Sequence, residues 1–301
     1  MTLVAVPCAV CQGTAFQPVY PGTIVDHHAA PSQYFGSSRA KDGYLPIVRC
    51  SECGLLMQNP QDDLVALAAG YRHLTAVSQD VEYDNRRHAA LIRLRWMTTY
   101  TGIPARLLDV GCGTGAFVCA ARKAGWDTTG LDPSEWMIAY ARSRCPGATF
   151  QVGSLENTQW TAGAFEVIAL WDVLEHVPSP LDALRRLRTW LAPDGLLCLS
   201  VPNAGSTMAR LMGPRWGLLL REHLWYFCPA TLARVLSQAG FAVVETRPTI
   251  GRYSLAGILR RLGQYSGGVP SLARRLARVP GLSRLHLRFP IGGMDVVARM
   301  K

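Results

Sequence analysis

The run Leu107-Leu108-Asp109-Val110-Gly111-Cys112-Gly113-Thr114-Gly115 decides the fold. It combines a short apolar strand, an acid and a G-x-G-x-G turn that opens a helix. Glycines at such a turn let the backbone bend sharply and approach a ligand closely. With Ala116, the same run also satisfies the dinucleotide pattern G-x-G-x-x-G/A, so the turn by itself does not select its ligand.

Two acids narrow the choice of ligand. A dinucleotide would place its pyrophosphate at this turn and would be repelled by Asp109, whereas the sulfonium and ammonium groups of S-adenosylmethionine favour a nearby carboxylate. Asp132 ends the next predicted strand, where a carboxylate can accept hydrogen bonds from both ribose hydroxyls of either cofactor. Asp132 therefore predicts an adenosine ligand, and Asp109 favours S-adenosylmethionine over a dinucleotide.

The rest of the chain alternates apolar strands with helices. Alternation of this kind predicts an α/β fold, a doubly wound (Rossmann-like), mostly parallel sheet covered on both faces. The predicted strands are 106–110, 127–131, 148–152, 165–171, 195–201, 241–246 and 294–300. The predicted helices are 62–71, 84–100, 114–124, 134–144, 180–191 and 229–239, with Ser134 and Ser179 as N-caps of the fourth and fifth.

Two CxxC pairs mark the N-terminal segment. Cys8 and Cys11 form the first pair, and Cys50 and Cys53 form the second. The stretch that contains them is rich in loops and needs a cross-link to be stable. Two such turns supply a tetrahedral set of four thiolates, which suits structural zinc and leaves no open coordination position. The alternatives are free thiols or a redox pair. We therefore predict a zinc-ribbon-like module at 1–60, a helical linker or lid at 61–104 and a cofactor-binding domain at 105–301.

Further motifs carry a family resemblance. They are Trp171-Asp172-Val173-Leu174-Glu175-His176-Val177, Leu191-Ala192-Pro193-Asp194-Gly195, Val201-Pro202-Asn203 and Glu222-His223-Leu224-Trp225-Tyr226-Phe227. With the glycine turn, they make residues 86–301 resemble the class I S-adenosylmethionine-dependent methyltransferases. The cysteine pairs resemble a zinc-binding segment that is fused to some members, several of which act on sugars or other secondary metabolites.

The resemblance implies a set of cofactor-binding residues. Those around the methionine part would be Asp109, Gly111, Gly113 and Gly115. Asp132 would hold the ribose, flanked by Pro133 and Ser134. Ser154 and Leu155 would lie beside the adenine, although many members have Asp where this chain has Ser154. Trp171 would lie beside the reactive methyl group, with ordinary core packing as the alternative.

An alcohol acceptor must also lose a proton, which requires a positioned base. Three residues are candidates for this catalytic role: His223, His176 and Asp172. His223 follows an acid and precedes an aromatic run, and its alternative role is a loop histidine that bonds to the backbone. The resemblance gives His176 a structural alternative, in which it helps to end the strand.

Charge is concentrated near the C-terminus. The chain carries a net charge of +10, and residues 252–289 contain eight arginines and no Asp or Glu. Leucines at helical spacing beside these arginines predict a basic helical insertion. It would contact an anionic membrane surface, dock onto the protein itself or hold an anionic substrate, and the alternative is a merely solvated helix surface. No apolar run reaches the roughly 18 residues that span a bilayer, and no signal peptide is evident, so we expect a cytoplasmic protein, peripheral on the inner membrane face if the insertion binds lipid.

These features predict an S-adenosylmethionine-dependent methyltransferase with structural zinc, acting on a hydroxyl of a sugar, glycan, lipid-linked or secondary-metabolite acceptor. The alternatives are a sugar C-methyltransferase, an RNA methyltransferase, a non-catalytic binding module and, more remotely, a dehydrogenase. Nucleic acid is a poor candidate partner because the first 60 residues carry only three basic residues. The intact glycine turn and both acids argue against a non-catalytic module.

Overall fold

The computed structural model describes residues 3–24, 43–63, 68, 71–72, 79–102, 105–255, 259, 279 and 285–301. The chain divides into two compact units, one of residues 1–247 with 292–301 and the other of residues 248–291. Among the described residues, no helix is long and apolar enough to cross a membrane.

The N-terminal segment contributes five short strands. They are β1 (Leu3–Val4), β2 (Phe16–Tyr20), β3 (Ile47–Cys50), β4 (Leu56–Gln58) and β5 (Gln61–Asp62). β1 pairs with β5, while β2, β3 and β4 form an antiparallel sheet in sequence order. Asp62 ends a strand and does not begin the helix predicted at 62–71. Its buried carboxylate accepts two hydrogen bonds of 2.8 Å from Arg221, which fixes it in the strand pair.

The large sheet has seven strands. They are β6 (Arg106–Val110), β7 (Asp127–Asp132), β8 (Thr149–Val152), β9 (Phe165–Trp171), β10 (Leu191–Pro202), β12 (Phe241–Ser254) and β13 (His286–Met300). Their order is β12-β13-β10-β9-β6-β7-β8. β6 to β10 run parallel to one another, and β13 is antiparallel to β10. The predicted Rossmann-like, mostly parallel sheet is confirmed.

The central strands are buried on both faces, as their apolar sequences require. Leu107, Leu108 and the run Val167–Leu170 are all fully buried. β12 and β13 are longer than predicted, because β12 continues to Ser254 and β13 already begins at His286. The helices that we predicted inside the basic segment lie almost entirely outside the described residues.

Six described α-helices connect these strands. They are α1 (Gln79–Thr101), α2 (Ala116–Lys123), α3 (Glu135–Arg144), α4 (Pro180–Trp190), α5 (Thr207–Met212) and α6 (Pro229–Gln238). Ser134 caps α3 as predicted, since its Oγ accepts a hydrogen bond from the Met137 N–H. Ser179 does not cap α4 with its side chain. Its hydroxyl donates instead to the Asp182 carboxylate at 2.6 Å.

The N-terminal sheet is completed by a distant strand. β11 (Trp225–Tyr226) pairs with β4, so that the cysteine segment and the predicted E-H-L-x-x-F segment share one sheet. The Gln58 side chain strengthens this join, because its amide donates to the carbonyls of Leu220 and His223, both at 2.6 Å. The cysteine segment therefore supports the backbone around His223.

Candidate active site

The sheet order reverses between β6 and β9. From β6 the chain moves to β7 and β8 on one side, whereas β9 and β10 lie on the other side. In open α/β sheets, ligands bind in the crevice at the carboxyl ends of the strands on either side of such a reversal. The glycine turn follows β6 and Asp172 follows β9, so both predicted site segments lie at this crevice.

The turn after β6 has a backbone that only glycine adopts comfortably. Gly111, Gly113 and Gly115 have φ values of +69°, +50° and +73°. A Cβ on Gly111 would lie 2.5 Å from Val173 Cγ2, and one on Gly115 would lie 2.9 Å from Ala141 Cβ. Conformation and space both require glycine at these two positions.

Asp132 joins the turn to the start of α3. One carboxylate oxygen accepts a hydrogen bond from the Gly113 N–H and the other from the Ser134 N–H, both at 2.9 Å. Burial raises the pKa of this carboxyl group, while the two backbone N–H groups oppose the rise. Each oxygen retains a lone pair, so the carboxylate can also accept hydrogen bonds from hydroxyl groups of a ligand.

Asp109 lies deeper in the sheet than Asp132 and is only 2% exposed. Burial raises the pKa of its carboxyl group far above the usual range; Arg93 lowers it and Asp132 raises it further. A cationic ligand in the crevice would favour the ionised form of this group.

The residues after β8, which the sequence predicts to lie beside an adenine, border the same end of the sheet. Leu155 is buried, and the Ser154 N–H donates to the Asn157 side chain at 2.7 Å. Ser134 is fully buried, and its hydroxyl is engaged as the α3 cap. Pro133 separates Asp132 from this cap.

Asp172 has an unusual backbone conformation at the end of β9. Its φ is +59°, a left-handed value that costs on the order of 1 kcal/mol or more for a residue with a side chain. Ser200 holds it there. The Ser200 Oγ accepts a hydrogen bond from the Asp172 N–H at 2.9 Å and donates to its carboxylate at 2.8 Å. The Asp172 side chain is 60% exposed and can therefore reach a ligand.

The sequence interpretation missed Arg93, which lies beneath this strand end. Its guanidinium stacks 4.3 Å from the centroid of the Trp171 ring and donates to Ser200 Oγ at 2.9 Å. It also lies 3.4 Å from the buried Asp295 carboxylate and 3.7 Å from that of Asp172. One feature of the sequence could have identified Arg93. It lies four residues after Ala89 and three before Trp96, and therefore on the apolar face of α1.

The two predicted catalytic histidines lie against each other, with ring centroids 4.7 Å apart. Nδ1 of His176 is 2.6 Å from the Tyr71 hydroxyl and 2.8 Å from the Glu222 carbonyl oxygen. Nδ1 of His223 is 2.8 Å from the Leu218 carbonyl oxygen. Burial lowers the pKa of His176 to about 4 and depresses that of His223 well below its usual value. Both imidazoles are therefore neutral near pH 7.

The four cysteines meet at one point. Cys8 and Cys53 have sulfurs 3.4 Å apart, as do Cys11 and Cys50. All four sulfurs lie within 4.8 Å of one another, and none forms a disulfide. Tetrahedral bonds of about 2.3 Å to one ion require sulfur separations of about 3.8 Å, so this arrangement fits zinc.

The two knuckles have similar backbones. The N–H of Gln12 donates to the Cys8 carbonyl oxygen, and the N–H of Gly54 donates to that of Cys50. Gln12 and Gly54 both have left-handed φ values, so Gln12 and not its neighbour Gly13 takes the left-handed position of the first knuckle. Burial acts to raise the pKa of the Cys50 thiol, but hydrogen bonds from the backbone N–H groups of Cys53 and Glu52 and from the Cys11 and Cys8 side chains together lower it to about 7.

Known proteins match this architecture. Residues 82–246, more than half of the chain, match the family described as "Methyltransferase domain". The chain belongs to this methyltransferase family. More particularly, it is an S-adenosylmethionine-dependent methyltransferase of class I, as the sheet order and the turn after β6 predict.

Curated relatives cover the same region. The ubiquinone biosynthesis O-methyltransferase of Aeromonas salmonicida is 27% identical over 166 residues, which is 50% of this chain and 70% of that protein. The protein of the same name from Bordetella avium is 29% identical over 187 residues, or 55% of this chain and 77% of that protein. The chain thus spans about seven-tenths or more of the length of these relatives.

Solved structures share the fold. A 1,6-didemethyltoxoflavin-N1-methyltransferase of Burkholderia thailandensis matches with a TM-score of 0.51 and 16% identity, covering 94% of this chain and all of that one. A methyltransferase of Thermotoga maritima matches with a TM-score of 0.50 and 17% identity, covering 73% of this chain and 92% of that one. At these identities, the likeness concerns the fold alone.

Proposed function

We propose that this chain methylates a hydroxyl oxygen of a small-molecule acceptor. The observation that carries the proposal is its similarity to proteins named O-methyltransferases, which share 27–29% identity with it. The crevice is consistent with this chemistry, because the exposed Asp172 carboxylate at the end of β9 can take up a hydroxyl proton. Burial keeps both nearby imidazoles unprotonated but lowers their pKa values, which makes them weaker bases than ordinary histidines.

The cofactor would lie across the carboxyl ends of β6, β7 and β8. When bound, S-adenosylmethionine supplies an electrophilic methyl group on a sulfonium. Asp109 and the three glycines would border its methionine part, and Asp132 would accept the ribose hydroxyls. Pro133, Ser134, Ser154 and Leu155 would shape the ribose and adenine side, largely through backbone and packing. Trp171, held by Arg93, would border the methyl group.

Three groups are candidates for proton acceptor: His223, His176 and Asp172. The chosen base would take up the hydroxyl proton when the acceptor oxygen receives the methyl group that the cofactor supplies. In the tautomer in which Nδ1 donates to the neighbouring backbone carbonyl oxygen, Nε2 of each histidine is the atom that would accept a proton. Asp172 offers an exposed carboxylate at the end of β9.

Zinc in the four-cysteine site would be structural. We propose that Cys8, Cys11, Cys50 and Cys53 hold one zinc ion, which leaves no coordination position for a reactant. Elemental analysis of freshly purified protein should find one zinc per chain, and Cys50→Ser should release it. Cys228→Ser removes a cysteine outside the site and serves as the matched control. Zinc-free wild-type protein would contradict the proposal.

The class of acceptor is tested by labelled methyl transfer. A panel should contain sugar, glycan and lipid-linked hydroxyls together with phenolic hydroxyls of quinone precursors, which the names of the relatives suggest. We expect label on an oxygen of one of these classes. Label on carbon or nitrogen, or on RNA alone, would contradict O-methylation of a small molecule.

A further inference from the structure

Glu175 is a buried acid for which methyl transfer offers no evident use. It lies in the 3₁₀ turn Leu174–His176 directly after β9. Its side chain is fully buried, and neither carboxylate oxygen has a hydrogen-bond partner within the described part of the chain. A buried carboxylate without a partner is costly, so such a group either takes up a proton or pairs with a cation or a bound metal.

Two imidazoles lie beside this carboxylate. Ligand atoms of Glu175, His176 and His223 all lie within 4.8 Å of one another. In both histidines Nδ1 is close to a backbone carbonyl oxygen, at 2.8 Å in each case. Metal-binding histidines are typically oriented by such a contact, in which one ring nitrogen donates to a carbonyl and the other faces the ion.

The separations suit an ion after a small contraction. Bonds of about 2.1 Å to one ion place neighbouring ligand atoms about 3–3.4 Å apart. Since the ligand atoms lie within 4.8 Å of one another, the side chains would need to approach by at most about 1.5–2 Å. The two rings already contact each other edge to face, which keeps both imidazoles at the same place.

We propose that Glu175, His176 and His223 bind a divalent first-row transition-metal cation at the acceptor side of the crevice. Two imidazole nitrogens and one carboxylate oxygen are a recurrent donor set for such ions, and thiolates are absent from it. Three protein ligands leave coordination positions free, in contrast to the four-cysteine site, which is complete.

The role of this ion rests on the proposed function. Its free coordination positions would accept the hydroxyl oxygen of the acceptor and lower the pKa of that hydroxyl. With both histidines acting as ligands, Asp172 would be the proton acceptor, since its carboxylate is 60% exposed at the adjacent strand end. The choice among the three candidate bases would thereby narrow to one.

Manganese binding tests the site directly. Mn²⁺ avoids thiolate ligands, so the four-cysteine site should not contribute to its binding. Electron paramagnetic resonance of purified protein titrated with Mn²⁺ should report one bound ion per wild-type chain. Glu175→Gln preserves size while removing the charge, and we expect it to weaken binding at least tenfold. Glu166→Gln changes the second residue of β9, at the opposite end of the same strand, and should bind as wild type does.

Two controls keep the outcome decisive. Calorimetry with S-adenosylhomocysteine checks that Glu175→Gln is folded, and Cys50→Ser checks that Mn²⁺ does not enter the cysteine site. Unchanged Mn²⁺ affinity in Glu175→Gln would overturn the proposal, as would a wild-type protein that binds none of Mn²⁺, Co²⁺ and Zn²⁺ outside the cysteines. Methyl transfer that continues in the presence of a chelator would refute the ion's role but leave the O-methyltransferase proposal intact. Mn²⁺ binding without methyl transfer to any hydroxyl would refute the O-methyltransferase proposal but leave the proposed metal site intact.

Discussion

The two halves of the crevice are built in different ways. On the β6–β8 side, the predicted contacts come from one short stretch and the ends of neighbouring strands, and backbone geometry dominates. On the β9–β10 side, residues far apart in the chain, among them Tyr71, Arg93 and His223, converge through side chains. If the first half binds the cofactor and the second the acceptor, as we propose, a local motif provides the contacts to the shared cofactor and long-range assembly those to the individual acceptor.

The largest effect is expected in the glycine turn. Gly111→Ala places a Cβ 2.5 Å from Val173 Cγ2 and forces alanine into a φ of +69°. We expect S-adenosylhomocysteine affinity, measured by calorimetry, to fall about a hundredfold or more, in line with about 3 kcal/mol of strain. Gly217→Ala, where an added Cβ meets nothing within 4 Å, should bind normally. Normal binding by Gly111→Ala would mean that the turn is not part of the cofactor site.

A somewhat smaller effect is expected at Asp132. Asp132→Asn removes the charge of a carboxylate that accepts hydrogen bonds from two backbone N–H groups and, in our proposal, from the ribose hydroxyls. Loss of charge-assisted hydrogen bonds should weaken cofactor binding by about 1.5–3 kcal/mol, measured by the same calorimetry. Asp127→Asn, at the exposed start of the same strand, is the control. If both variants bind alike, Asp132 has only a structural role.

A substitution of Arg93 should affect the β9–β10 half of the crevice and not the β6–β8 half. Arg93→Lys retains the charge but loses the stacking on Trp171 and the planar contact with Ser200. We expect kcat to fall about tenfold while cofactor affinity changes less than twofold, because the side chain positions the end of β9 and not the glycine turn. Arg95→Lys on the outer face of α1 should have no effect. An equal loss of cofactor affinity in Arg93→Lys would contradict this division of the crevice.

The smallest effect concerns the basic segment, most of which lies outside the described residues. If residues 252–289 contact anionic lipid, the chain should co-sediment with anionic but not neutral vesicles at low salt. Arg260→Gln should then reduce partitioning about fivefold, as expected for about 1 kcal/mol per arginine near the surface. Cofactor affinity should stay unchanged. Wild-type protein that ignores anionic vesicles would refute membrane contact.

The sequence predicted the sheet and the turn after β6 because their patterns are local. β9 has the predicted bounds, Phe165–Trp171, and Ser134 caps α3. It predicted neither Arg93 nor the pairing of β11 with β4, because both depend on contacts between distant segments. The hydrophobic pattern of a helix shows which face is buried. It does not show that the guanidinium of an arginine on that face, Arg93, stacks on the ring of the distant Trp171.

The pairing of β4 with β11 has a practical consequence for exchanging parts between relatives. The cysteine segment does not form a self-contained unit, since Trp225 and Tyr226 complete its sheet. In addition, the Gln58 side chain donates hydrogen bonds to the carbonyl oxygens of Leu220 and His223. A chimera that replaces only residues 1–63 would bring a foreign strand edge against the native partner. Grafts that also carry residues 218–228 from the same donor should retain the join, so the N-terminal sheet would be transferred intact only when two separate stretches of chain move together.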